Sequence, residues 1–305
     1  MVHPIDRIIA YVRYVPIIVS SESIPRYQKI YDLSERERYL KDNFSEYLWF
    51  SKTHERVLQT VPFEKVKRVH DPVKHMVQIR KNSSALSIST SRLVDLLISH
   101  TGINKTDIGV TGSQLIGIAN ETSDIDLIVF GESACYEFYR RLSESYDEIP
   151  GLKHYKGELL NSHVDFRWRE LTNYKTILRE IESKKILQGV FENNEFFIRL
   201  VKRHEDIKES YGQIISKNWK VGEVECQITD HQDSIFTPCA YQVESSEHPE
   251  LKQIISYRGR FTEHVSKGQF VNVRGILERV VNTSSGEQYQ QLVLGENSSD
   301  YMIPK

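Results

Sequence analysis

Residues 109–131 read GVTGSQLIGIANETSDIDLIVFG, and the fold is decided by how this stretch is read. Leu127, Ile128 and Val129 form a short apolar run, which predicts a buried strand over Asp124–Phe130. Asp124 and Asp126 stand at i and i+2 at the start of that strand, so both carboxylates project from one face of a sheet. Carboxylates that close repel each other unless a cation lies between them. Their oxygens suit a hard divalent ion such as Mg²⁺, which takes one or two protein carboxylates together with phosphate oxygens. Upstream, Ile108–Thr111 is a second short apolar strand, and Gly112-Ser113 interrupts it before a brief helical stretch, Gln114–Ala119. A bend of that kind leaves backbone N–H groups and a hydroxyl for an anion, with glycine permitting close approach.

A phosphate cradle beside paired carboxylates describes phosphoryl or nucleotidyl transfer assisted by two metals, one at the attacking hydroxyl and one at the leaving pyrophosphate. Such chemistry expects a third carboxylate on a neighbouring strand. His163–Trp168 (HVDFRW) alternates in character, is predicted as a strand, and supplies Asp165; Asp147 is the poorer candidate because it ends a predicted helix.

Gly112-Ser113, Asp124-Ile125-Asp126 and Asp165 together resemble the DNA polymerase beta-like nucleotidyltransferase superfamily, which shares a Gly-Ser or Gly-Gly turn, an Asp-x-Asp or Asp-x-Glu pair and a later single aspartate. By overall layout the chain is most similar to the uncharacterised nucleotidyltransferase-domain proteins of archaea. The resemblance covers about residues 108–168 and leaves the rest of the chain unplaced. It implies that Asp124 and Asp126 bind both of two Mg²⁺ or Mn²⁺ ions, that Asp165 also serves at the metal site and orients or deprotonates the acceptor hydroxyl, and that Gly112 and Ser113 hold the triphosphate. The substrate implied is a nucleoside triphosphate such as ATP, with an RNA or DNA end or a small molecule as acceptor. An inactive member that binds nucleotide, nucleic acid or a protein is the alternative.

Strands and helices alternate through this region, the pattern of an α/β or α+β layer packed around one sheet, and the resemblance implies an α+β fold with a polymerase beta-like core and a mixed sheet over 90–170. Before it, 1–89 reads as mixed strand and helix. Arg7–Val19 is strand broken at Pro16, a helix over Ser34–Phe50 opens on a Ser-x-x-Glu capping box, and His75–Arg80 is a strand. Within the core, helices are predicted over Arg92–His100, capped by Ser91 and stopped by Gly102, and over Ala134–Tyr146. A helical segment follows over 171–220, with helices at Asn173–Lys184 and Glu195–Lys208. The second places Arg199, Lys202 and Arg203 at i, i+3 and i+4. That stripe either faces the cleft and neutralises the triphosphate or is a solvated face paired with Glu195 and Glu205. Lys153, His154 and Lys156 are weaker phosphate candidates.

The last region, 221–305, is β-rich and barrel-like, with short runs separated by Gly- and Ser-containing turns. Seven Lys and Arg stand there against twelve Asp and Glu, which argues against sequence-independent nucleic-acid binding and for a structural or protein-docking role. Over all 305 residues, 40 basic against 42 acidic side chains give a charge of -2, with no bulk attraction to polyanions. No apolar run reaches the ~18 residues of a membrane span. Three scattered cysteines make neither a disulfide framework nor a zinc site; Cys135 reads as buried, His163 as a residue supporting Asp165 from behind or as ordinary strand filling, and the expected location is the cytoplasm.

Overall fold

The structure, a computed structural model, describes residues 2–17 and 26–305, which divide into two compact units. The first takes Met1–Val69, Glu209–Trp219 and Glu278–Gln288. In it β1 (Arg7–Ile9), β4 (Leu48–Ser51) and β5 (Arg56–Pro62) form an antiparallel sheet in the order β1-β5-β4, and β2 (Tyr14–Ile17) pairs with β3 (Arg26–Lys29). Pro16 lies within β2, in a two-stranded ribbon where a missing N–H is tolerated at an edge. Ile18 and Val19, the end of the predicted stretch, lie outside the described residues. α1 (Leu33–Asn43) is capped by Asp32, whose carboxylate accepts from the Glu35 N–H and the Ser34 hydroxyl. The cap thus sits two residues before the predicted one, and the helix stops at Asn43 because residues 48–51 pair with β5.

The second unit takes His70–Lys208, Lys220–Leu277 and Tyr289–Lys305. It begins with α2 (Pro72–Lys81), where a strand is expected over His75–Arg80. Asp71 caps it, accepting from the Val73 and Lys74 N–H groups at 3.0 Å, and Pro72 at the first position is pre-set for a helix. α3 (Ala85–Thr101) starts earlier than predicted, at Ser84, and ends as expected on Gly102 at φ +68°. There follow β6 (Ile108–Val110), α4 (Gly112–Leu115), β7 (Ile125–Phe130), α5 (Glu132–Ser145), β8 (Leu152–Lys153), α6 (Gly157–Arg167), α7 (Lys175–Glu182), β9 (Gln188–Phe191) and β10 (Asn194–Val201). The sheet runs β6-β7-β10-β9-β8, parallel between β7 and β10 and antiparallel elsewhere. Leu93, Leu97, Ile125, Leu127, Val129, Phe138 and Leu142 pack one side of it into an apolar core.

Two further predicted elements change type. Glu195–Lys208 is mostly strand: β10 is hydrogen-bonded on both sides, by β7 and β9, and its residues alternate between the core and the opposite face. Residues 163–167 are helical, with Trp168 as the C-cap. Leu160, Val164 and Trp168 recur at a four-residue step along α6 and bury themselves in a second core with α7 and the C-terminal strands.

Those strands are β11 (Ile214–Asp230), β12 (Cys239–Glu244), β13 (Leu251–Ser256), β14 (Phe270–Asn282), β15 (Gln288–Leu294) and β16 (Tyr301–Pro304). They run β11-β12-β13-β15-β14-β16, and β11 also pairs with β14, so the β-rich region doubles back without making a clean barrel. The β-rich region is hydrogen-bonded to the core. Glu263, buried, accepts from the Ile186 and Leu187 N–H groups at 2.9 and 3.1 Å and from the Tyr139 hydroxyl at 3.2 Å. No helix among the described residues is long and apolar enough to cross a membrane.

The second core holds a buried ionic knot. Glu182 accepts from Lys185 Nζ at 2.8 Å and Trp168 Nε1 at 3.0 Å, is bonded by the Gln188 side-chain amide, and lies 3.1 Å from His163 Nε2. Burial opposes its charge, but the Lys185 ammonium and the His163 contact hold its carboxyl well below the ordinary 4.5. Glu182→Ala strands Lys185, 1% exposed, and is expected to cost about 3–5 kcal/mol, read as a lower denaturant midpoint at unchanged m. Because the folded value is depressed, the contribution of Glu182 is complete above the ordinary 4.5 and is lost as pH falls through the folded value.

Candidate active site

β6 pairs antiparallel with β7, Val110 opposite Leu127, and the Thr111 N–H donates to the Asp126 carbonyl at 2.8 Å. That pairing delivers Gly112 to the side of Asp126. Gly112 has φ +64°, and a Cβ there would lie 2.0 Å from Asp126 Oδ2, so only glycine fits on both counts. Ser113 follows, half-buried. The loop back to Asp124 is shaped by Asn120, which accepts from the Thr122 N–H at 3.0 Å and whose own N–H donates to Ser123 Oγ at 3.0 Å. Along β7, Ile125, Leu127 and Val129 are buried, whereas Asp126 is half-buried on the opposite, open face and Asp124, just before the strand, is exposed.

β10 continues that open face. Phe197 is opposite Asp126 and Arg199 opposite Ile128, while Phe196, Ile198 and Leu200 point to the core. Glu195 precedes Phe197 by two residues as Asp124 precedes Asp126, so alternation puts Glu195 on the face of the two aspartates. Its carboxylate accepts from the Tyr155 hydroxyl at 2.6 Å. Burial raises the Tyr155 phenol far above its usual value; the Glu195 bond and the Asp124 charge add to this, and Arg167 opposes it. Tyr155 is therefore a firm donor that fixes Glu195. The Arg167 and Arg199 guanidinium carbons lie 5.6 and 5.8 Å from the centre of the Phe197 ring. Phe197 is also closely approached by Gly259, where a Cβ would come within 2.5 Å of its Cζ.

Residues 92–210 match the family model described as "Nucleotidyltransferase domain". The chain carries a nucleotidyltransferase domain. It is of the polymerase beta-like type, and such a domain supports nucleotidyl transfer in general. The chain is also similar to an uncharacterized protein of Methanocaldococcus jannaschii, 23% identical over an alignment that covers 96% of this chain and 89% of the relative. No solved structure matches it significantly.

Of the residues read from the sequence, the nucleotidyltransferase domain brings together Gly112, Ser113, Asp124 and Asp126 on one segment, with Arg199 on the same sheet face. Asp165 is different. It stands on α6, not on a strand beside β7; its carboxylate is exposed and pairs with Lys175 Nζ at 2.5 Å. Lys202 and Arg203 lie beyond the last paired position of β10, five and six residues past the partner of Asp126. At ~3.3 Å per residue the nearer of them is about 16 Å along the strand direction from that level. Lys202 pairs with Glu132 and Asp233, and Arg203 with Asp107, so both serve the packing at the far end of the sheet. Sequence reasoning misses Glu195, Arg167 and Tyr155 as site residues. The signal for Glu195 is its offset before an apolar alternation, visible only when 194–201 is read as a strand.

His154 and His163 are held by structural contacts. His154 Nδ1 lies 3.1 Å from the Lys185 carbonyl and its ring stacks on Tyr146, and His163 belongs to the Glu182 knot. Burial pushes the Cys135 thiol up to about 12, which makes it inert rather than activated. Among the described residues no group of three or more His, Cys, Asp or Glu side chains could by itself hold a metal ion. The donor set at Asp124 and Asp126 nevertheless fits Mg²⁺ or Mn²⁺. It offers hard oxygens only, and such ions are held by one or two carboxylates plus substrate phosphates rather than by an all-protein cage.

Proposed function

We propose that the domain moves a nucleoside monophosphate from a nucleoside triphosphate to an acceptor hydroxyl, releasing pyrophosphate, on the open face of β7 and β10. The observation that carries this reading is the seating of Asp126 against Gly112, with Asp124 and Glu195 on the same sheet face. Asp124 and Asp126 would hold two divalent ions, which supply charge neutralisation at the transferring phosphate and lower the pKa of a bound hydroxyl. Gly112 lets the triphosphate approach the backbone, and Ser113 offers it a hydroxyl. Arg167 and Arg199, flanking Phe197, neutralise the charge that gathers on the leaving pyrophosphate. Glu195, fixed by Tyr155, takes the role that the sequence assigns to Asp165: it accepts the proton of the acceptor hydroxyl. The acceptor oxygen then bonds to the α-phosphorus as the bond from that phosphorus to the bridging oxygen breaks. The three free, buried cysteines suit a reducing compartment, and the cytoplasm is the proposed site of action.

The test is to incubate the purified protein with each α-labelled nucleoside triphosphate, Mg²⁺ or Mn²⁺, and in turn total cellular RNA, DNA or a small-molecule extract. Label in an acceptor, matched by released pyrophosphate, is the expected result. No transfer with any pairing contradicts the reading and favours a binding protein built on an inactive nucleotidyltransferase fold.

A further inference from the structure

A cavity of about 500 Å³ lies among α2, the start of α3 and the α4–β7 loop, a volume in the range of small-molecule sites. Its lining joins amides and hydroxyls, among them Gln78, Asn82, Ser87, Gln114 and Asn120, to the apolar side chains of Ile79 and Leu86. Its lining includes no lysine or arginine. Gln114 is 4% exposed. The Thr90 hydroxyl lies 3.0 Å from its amide oxygen and 2.7 Å from the Leu86 carbonyl, and the amide nitrogen is buried with no partner. Whichever way the amide is turned, one end is tied to Thr90 and the other is left open. A buried amide without a partner costs about 1–3 kcal/mol, which a ligand able to complete the bond would relieve.

The cavity and the proposed catalytic centre are walled by one segment. Gln114 is two residues beyond Gly112, and Asn120 and Glu121 belong to the loop that leads into Asp124. We propose that this cavity is the nucleobase pocket of the enzyme, an inference that rests on the nucleotidyl-transfer reading. A base is a flat, uncharged ring with hydrogen-bonding groups at its edge and apolar faces. Side-chain amides read such edges well, and a buried amide left unpaired by the wrong base discriminates strongly. The enzyme then selects its nucleoside triphosphate here and binds the triphosphate separately at Gly112-Ser113.

Equilibrium binding of the four nucleoside triphosphates and of inorganic tripolyphosphate, in Mg²⁺, tests this. The wild type is expected to bind one nucleotide at least about tenfold tighter than the others and than tripolyphosphate. Ala85→Trp, at an exposed wall position on the first turn of α3, should bring the four nucleotides within about threefold of one another, with tripolyphosphate affinity unchanged. Ala119→Phe, on the opposite loop, fills the same space and serves as the second variant. Asp126→Asn should weaken tripolyphosphate and all nucleotides together while keeping their ranking. The pocket assignment is overturned if the wild type binds all four alike, or if both filling variants leave the preference intact. If base preference is present but tripolyphosphate is indifferent to Asp126→Asn, the pocket stands and the catalytic reading falls.

Discussion

Asp126→Asn is expected to lower the proposed nucleotidyl transfer by about 10³-fold, because a carboxylate proposed to hold the metal ions would be lost, and with it several kcal/mol of charge stabilisation at ~1.4 kcal/mol per tenfold. The fold should survive, since Asp126 is half-buried on the open face and its neighbours Ile125 and Leu127 carry the core contacts. Gly112→Ala provides the companion result. The new methyl would overlap Asp126 Oδ2 at 2.0 Å and sit on a backbone with φ +64°, so the carboxylate must move. A displacement near 1 Å at a reacting centre costs about 10²-fold in rate. Unfolding midpoints should show the strained backbone at no more than ~2 kcal/mol. Near-wild-type turnover in Gly112→Ala would mean that the contact between turn and carboxylate has no part in catalysis.

Glu195→Gln and Asp165→Asn form the second test, and their effects should differ sharply. Glu195→Gln keeps the shape and the bond from Tyr155 but removes the proton acceptor, for an expected loss of about 10²-fold. Asp165→Asn breaks an exposed pair with Lys175 and should change turnover by less than about threefold and stability by less than about 1 kcal/mol. Single-turnover rates at saturating nucleotide separate the two. The reverse ranking would return the third carboxylate to residue 165.

The difference between those carboxylates shows what could be read from the chain. The 109–131 stretch is legible because its structure is local. A strand, a glycine bend and a second strand carry their own period, and the pairing of Val110 with Leu127 closes them over a short distance. Residues 163–168 are not, because six residues fit either period. The helical face emerges only when Leu160 is counted with Val164 and Trp168, and the C-terminal strands they bury against come from far along the chain. Residues 194–201 mislead for the complementary reason. A strand paired on both edges carries large side chains on both faces, so Phe196, Phe197, Leu200 and Val201 also make a helical stripe. Reading that stretch as a helix turns Arg199, Lys202 and Arg203 into one basic row. In the strand, Arg199 stands two residues past the partner of Asp126, and Lys202 and Arg203 run on to the far end. α2 is the avoidable miss, since Asp71-Pro72 is a helix start by cap and by proline alike.

The most direct test of the central claim is anomalous diffraction from crystals soaked with Mn²⁺ and a non-hydrolysable nucleoside triphosphate. The account predicts manganese bound at the carboxylates of Asp124 and Asp126, with the triphosphate against Gly112-Ser113 on the face that carries Glu195. Manganese bound elsewhere, or a nucleotide seated away from the open face of β7 and β10, would contradict it.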